Sequence, residues 1–209
     1  MAASLEPEEF DQMLTLGDIP RHHARVRPTH VALTFEGRET TFEALDAQSN
    51  QVAAALIAAG VEAGDCIAYF GKNSDHYFEL LFAVQKLGAV IAPIGWRLAA
   101  DEVAYIIDDA AAHLLFVGPE CIEVAAQAVA QSASKPAIIA MEPGAHAHPV
   151  YAAWRDAQPD EDLAIRVAPE ATALLLYTSG TTGRPKGVMQ TLGTLRATSE
   201  NFRLVTDVR

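Results

Sequence analysis

The 209-residue sequence predicts an α/β fold, a largely parallel sheet covered by helices, on three observations. From residue 66 onward, short apolar runs alternate with longer helical patterns, the order that strand, crossover helix and next strand produce. The runs are apolar at nearly every position rather than at every second one, as in strands buried on both faces. Half of the residues are hydrophobic, enough for a sizeable core at this length.

The elements follow in order. "HVALTFEGRETTF" holds two strand-like pieces around Glu36 and Gly37 and predicts a hairpin. It runs into an amphipathic helix with a capping pattern from Thr40 to Glu43, apolar positions at Leu45, Val52, Leu56 and Ile57, and Gly60 at its end. "CIAYFG" predicts a buried strand, and "SDHYFELLFAVQKLG" a helix capped by Ser74 and closed by Gly88. "AVIAPI" is strand-like. A helix around Asp101 to Ile107, a strand at Leu114 to Val117, a helix near Cys121 to Ala130 and a strand at Ala137 to Ala140 continue the alternation. Residues 143 to 160 have a loop composition, and "ATALLLY" predicts one more strand.

The formal charge of −12 speaks against a general nucleic-acid binder and against an acidic membrane surface, both of which need clustered Lys and Arg. The charge is uneven. From Thr178 to Arg209 five cations face two anions, a net +3, which leaves −15 for the rest. An anionic ligand should prefer that end; a solvated basic face on a terminal helix is the other reading of the same residues. Cys66 and Cys121 lie far apart and without ligand spacing, so neither a zinc site nor a disulfide framework is expected, and Cys66 reads as a small buried hydrophobe. The seven histidines show no metal-site pattern. The first ten residues lack a basic and apolar leader, and no apolar run reaches membrane-spanning length. A reducing, cytoplasmic setting is expected.

The last predicted strand opens directly into "YTSGTTGRPKG", Tyr177 to Gly187. Ligands of open α/β sheets bind beyond the carboxyl ends of strands. Amides in such a turn can converge on phosphate oxygens, and hydroxyls and an ammonium add donors and charge. Here Gly180, Gly183 and Gly187 read as positions of permissive backbone. Thr178, Ser179, Thr181 and Thr182 supply the hydroxyls, and Lys186, one of four lysines, supplies the charge. Pro185 stiffens the approach to that lysine. A flexible Ser/Gly/Thr linker is the competing reading, but it does not account for Pro-Lys-Gly at the end. Nor is this a Walker A loop, which needs Gly before the Lys and Ser or Thr after it, where this chain has Pro185 and Gly187.

The string from Tyr177 through Met189 resembles the phosphate-binding signature of the adenylate-forming superfamily of acyl-CoA synthetases, peptide-synthetase adenylation domains and luciferases. "TTFEALDAQSNQVAAAL" and "FAVQKLGAVIAPIGWRL" resemble further stretches of that family. Trp96, Arg97 and Leu98 have the flavour of fatty and aromatic acid ligases, while Gly95 and Leu192 stand where Asn and His are usual. For Trp96 and Arg97 themselves, a packed indole with an exposed guanidinium is the default reading. The resemblance implies that residues 1–209 are the N-terminal portion of the large domain of such an enzyme, incomplete and without its C-terminal domain. It implies activation of a small-molecule carboxylic acid by ATP through an acyl adenylate, with coenzyme A as co-substrate. Thr178, Ser179, Gly180, Thr181, Thr182, Gly183 and Lys186 would then hold the β- and γ-phosphates, and Thr178 would help ligate Mg²⁺. The catalytic residues, among them the Glu of an aromatic-Gly-x-Thr-Glu motif, would lie beyond Arg209. A truncated, non-catalytic nucleotide-binding or interaction module is the alternative.

Overall fold

In the computed structural model, residues 15–178 and 184–205 are described. Strands β1 (Val31–Phe35) and β2 (Arg38–Thr41) form the expected antiparallel hairpin. Glu36 and Gly37 take φ of 47° and 81°, the paired left-handed angles of a type I′ turn. Ahead of them lies α1 (Asp18–Val26), a helix with no counterpart in the sequence reading. Its segment is mostly polar and buries only Pro20, His22 and His23, so it leaves no apolar stripe to detect.

The hairpin leads into α2 (Phe42–Ala58). Its N-cap is Thr41 rather than Thr40: the helix starts at Phe42, and the Thr41 hydroxyl accepts from the Ala44 amide at 3.2 Å. Next come β3 (Cys66–Phe70), α3 (Asp75–Leu87), β4 (Val90–Ile94), α4 (Ala100–Asp109) and β5 (Leu114–Val117). A 3₁₀ turn, Pro119–Cys121, then enters α5 (Ile122–Gln131), and β6 (Ala137–Ala140) follows. Helix α3 is capped and closed as expected, with Ser74 Oγ accepting from the Tyr77 amide at 3.2 Å and Gly88 in the left-handed region at φ 78°.

β3 pairs in parallel with β4 on one side and with β5 on the other, and β5 with β6. With β7 at Thr172–Thr178 and β8 at Lys186–Thr191, the six-stranded order is β6-β5-β3-β4-β7-β8. Strand β3 is buried at all five residues and divides the core by alternation. Ile67 and Tyr69 face α2 and α3 with Leu56, Leu80, Val84 and Ile91. Ala68 and Phe70 face α4 and α5 with Val103, Ile106, Leu115 and Ala125.

Two parts of the chain depart from this all-parallel layout. β7 (Thr172–Thr178) runs parallel to β4, but β8 (Lys186–Thr191) returns antiparallel to β7 and forms the sheet edge. The chain then enters α7 (Leu192–Val205), with Leu192 buried. Within residues 143–160, expected as loop, Tyr151–Asp156 forms α6. Six residues are too few for a helical period to show.

Contacts made by Glu79 of α3 fix α6. This buried carboxylate accepts from Arg155 Nη1 at 2.6 Å and from the fully buried Tyr151 hydroxyl at 3.2 Å, and His76 Nδ1 lies 3.1 Å away. Burial alone would lower the His76 pKa, but the hydrogen bond and charge of Glu79, with Asp75 and Glu142, hold it above the usual histidine value. Burial alone would raise the Asp75 carboxyl, but two hydrogen bonds from Arg38 at 3.0 and 2.9 Å, with His76, hold it below the usual range. The signs are opposite. A raised histidine contributes stability that is present below its unfolded pKa of about 6.5 and lost as pH rises through the folded value. A depressed aspartate contributes stability that is present above its unfolded pKa of about 3.9 and lost as pH falls. Urea unfolding measured across pH should therefore show the sum of these contributions greatest between those two limits, and His76→Gln should flatten the alkaline decline while leaving the acid one.

Candidate functional site

The carboxyl end of β7 delivers Tyr177 and Thr178 to one edge of the sheet. Ser179, Gly180, Thr181, Thr182 and Gly183 lie outside the described residues. The chain resumes at Arg184 and Pro185, and Lys186 begins β8. In the antiparallel register Thr178 stands opposite Lys186 and Tyr177 opposite Gly187. Directly opposed residues place their Cβ atoms about 4.5–5.5 Å apart. The two described members of the expected phosphate site are thus cross-strand neighbours, and both are exposed.

Gly187 has a different reason to be glycine than the one expected. It does not take a left-handed backbone angle. A Cβ there would come within 2.9 Å of Leu175 Cδ1 and 3.3 Å of Tyr177 Cζ. The position is crowded first by Leu175 and then by the facing Tyr177 ring.

That ring reaches α4. The Tyr177 hydroxyl donates to Asp109 Oδ2 at 2.7 Å, and Tyr105, one turn earlier, donates to Asp109 Oδ1 at 3.5 Å. Burial, and then the Asp109 bond, push the Tyr177 phenol well above its ordinary pKa, so it remains a donor at any physiological pH. On the far side of the loop, the Arg184 guanidinium lies 5.4 Å from the centre of the Tyr105 ring. Sequence reasoning missed Asp109 and Tyr105. Their spacing of four does put them on one helix face, but nothing local links them to a tyrosine 68 residues away.

The same edge collects other cations. Because β3, β4 and β7 are parallel, Lys72 after β3 and Arg97 after β4 emerge on the side where the hairpin opens. Trp96 is 37% exposed, with the Arg97 guanidinium 4.0 Å and the Lys72 ammonium 4.7 Å from its ring centre, a two-cation contact of the usual π type. In a chain of net charge −12, Lys72, Arg97, Arg184 and Lys186 make this edge the place for an anion. No cluster of metal-ligating side chains occurs among the described residues. Thr178 supplies a single hydroxyl oxygen, which suits a Mg²⁺ ion held mainly by phosphate and water. Both cysteines are free and buried. Burial pushes the Cys66 thiol up to about 12 and that of Cys121 up to about 11, so neither is a nucleophile.

The family model of AMP-binding enzymes matches residues 20–208, from α1 through the hairpin and into the final segment. The chain belongs to the AMP-binding enzyme family.

AMP-binding relatives agree with this assignment over most of the chain. A fatty acid–[acyl-carrier-protein] ligase of Streptomyces coeruleorubidus is 41% identical over 179 residues, 85% of this chain and 33% of the relative. A feruloyl-CoA synthase of Amycolatopsis sp is 36% identical over 193 residues, 92% of this chain and 36% of that protein. Among solved structures, the anthranilate CoA ligase AuaEII in complex with anthranoyl-AMP superposes with a TM-score of 0.80 at 29% identity, covering 88% of this chain and 36% of its own. The N-terminal domain of FACL13 from Mycobacterium tuberculosis does so at 0.83 and 26%, covering 93% and 48%. The chain spans about a third of the length of the curated relatives it matches. The expected α/β fold and family both hold. No described helix is long and apolar enough to cross a membrane.

Proposed function

We propose that this AMP-binding chain is the phosphate-holding N-terminal part, residues 1–209, of a ligase. The ligase would use ATP to convert a carboxylic acid into an acyl adenylate and pass the acyl group to a thiol, foremost that of coenzyme A. The observation that carries the reading is the facing pair Thr178 and Lys186 at the mouth of the Gly-rich loop, on an edge rich in cations.

A carboxylate has no leaving group of its own. Its attack on the α-phosphate of ATP expels pyrophosphate and supplies AMP for that role. Transfers of this kind depend on positioning and on neutralising the phosphate oxygens and the leaving group. Lys186 would place its ammonium against the departing pyrophosphate, with Ser179, Thr181, Thr182 and the amides of Gly180 and Gly183 as further donors. Thr178 would offer Oγ1 to Mg²⁺, which when bound would neutralise phosphate charge. Residues following Arg209 would supply the acid pocket and the catalytic groups, so the 209 residues alone are not expected to turn over. A cytoplasmic setting suits the two free thiols.

The same facing pair would also serve a second reading, a module that binds nucleotide without catalysis. Acid-dependent exchange of labelled pyrophosphate into ATP separates the two. Exchange by the polypeptide that carries this chain supports the ligase, Mg·ATP binding without exchange supports the module, and no binding of Mg·ATP sinks both.

A further inference from the structure

The hairpin that carries Thr178 and Lys186 has little support from the sheet at its mouth. The ladder between β4 and β7 is the single pair Ile91 with Leu174, well short of Thr178. β8 is the last strand of the sheet among the described residues. Backbone pairing therefore fixes β7 to β8 but does not fix the mouth of the hairpin against the parallel sheet.

Leu175 and Tyr177 pack against the core at Cys66, Val90 and Ala92, and a group of four side chains also reaches across. Asp109, in the last turn of α4, accepts from the Tyr177 hydroxyl through one carboxylate oxygen at 2.7 Å and from the Tyr105 hydroxyl through the other at 3.5 Å. Tyr177 is the residue before Thr178. Arg184, two residues before Lys186, lays its guanidinium over the Tyr105 ring at 5.4 Å. One helix face, Tyr105 and Asp109, thus takes hold of the chain both where it enters the loop and where it leaves. At Gly187 a Cβ would press on Leu175 Cδ1 at 2.9 Å and lie 3.3 Å from Tyr177 Cζ, so a side chain there would crowd this packing.

We infer that Tyr105 and Asp109 act with Tyr177 and Arg184 as a clasp that sets Thr178 and Lys186 in place against the sheet, and that these four are positioning residues for phosphate binding. The inference rests on the reading of Thr178 and Lys186 given above. A binding group gains affinity when its geometry is set before the ligand arrives. The clasp does this from a rigid helix, without touching the ligand.

The test is calorimetric titration, with Mg·ATP, of the polypeptide that carries this chain. Tyr177→Phe, which removes one oxygen, and Tyr105→Leu, which removes the ring under Arg184, should each weaken binding about 3- to 10-fold. Tyr105→Phe, which keeps the ring, should restore most of the affinity lost in Tyr105→Leu. Once Arg184 has been changed to Ala, Tyr105→Leu should cost no more than about 2-fold further, because the ring contact is already gone and only the long 3.5 Å bond from the Tyr105 hydroxyl to Asp109 remains to be lost. A loss caused only by a loosened fold would instead be additive with Arg184→Ala and unrelieved by the phenylalanine. Additive losses therefore overturn the clasp, as does unchanged affinity in both single variants. If those variants bind normally while Lys186→Ala loses binding, the clasp fails and the phosphate reading stands. If the unaltered chain does not bind Mg·ATP, or binds it regardless of Lys186, the phosphate reading fails and the clasp with it.

Discussion

Arg155→Met should lower the free energy of unfolding by about 3 kcal/mol, the lower end of the range for stranding one member of a buried ion pair. Glu79 is 2% exposed and Arg155 8%, and their 2.6 Å contact joins α3 to α6. Without the guanidinium, the carboxylate keeps only the Tyr151 hydroxyl at 3.2 Å and His76 at 3.1 Å, which limits the loss without removing it. Against a typical domain stability of about 5–15 kcal/mol this is a large share. Urea denaturation of Arg155→Met and of the double variant Glu79→Leu/Arg155→Met decides the matter. The double variant should be the more stable of the two, because an apolar pair leaves no charge to solvate. A loss below about 1 kcal/mol in the single variant would put Arg155 in the class of ordinary surface changes.

Lys186→Ala should weaken Mg·ATP binding about 10-fold or more, the usual scale for removing a charged donor from an anion. The ammonium is exposed and holds no ion pair among the described residues, so its loss leaves the protein stability unchanged. Lys186→Arg should recover part of the affinity, since charge remains while the geometry of a point donor does not. Lys72→Ala is the control. Lys72 is a cation on the same edge but is engaged with Trp96, and its removal should cost no more than about 3-fold. Equal losses from Lys72 and Lys186 would mean that the edge attracts anions in general and that Lys186 has no assigned place. If the proposed ligase reading holds, pyrophosphate exchange should fall further, because leaving-group charge develops only in the transition state.

The parallel half of the fold was readable because strands buried on both faces show as uninterrupted apolar runs. Leu114–Val117 and Ala137–Ala140 are strands with the bounds expected from sequence. Where burial is one-sided or slight, the signal vanishes. β8 has the mixed composition "KGVMQT" and four exposed residues, and α1 presents histidines rather than leucines to the core. The α2 cap slipped by one residue because Thr40 and Thr41 are equally good caps by type, and only the helix start at Phe42 tells them apart. Thr178 and Lys186, named from a contiguous string, are cross-strand neighbours at the mouth of the hairpin. The function of Gly187 was not legible, because it depends on Leu175 and the Tyr177 ring across the ladder. Asp109 and Tyr105 were invisible, since an exposed carboxylate and a tyrosine on a helix are ordinary until a strand is laid beside them.

The loop between Thr178 and Lys186 leaves one strand and enters another. In many phosphate loops the chain goes straight into a helix, whose aligned peptide dipoles bring roughly half a positive charge to the ligand. A sheet edge carries almost no such dipole. Beyond the loop's own amides, the positive charge here is carried by ammonium and guanidinium groups on side chains, which salt screens over about 8 Å at physiological ionic strength. A helix terminus is a permanent feature of a backbone, whereas this field can be removed one residue at a time.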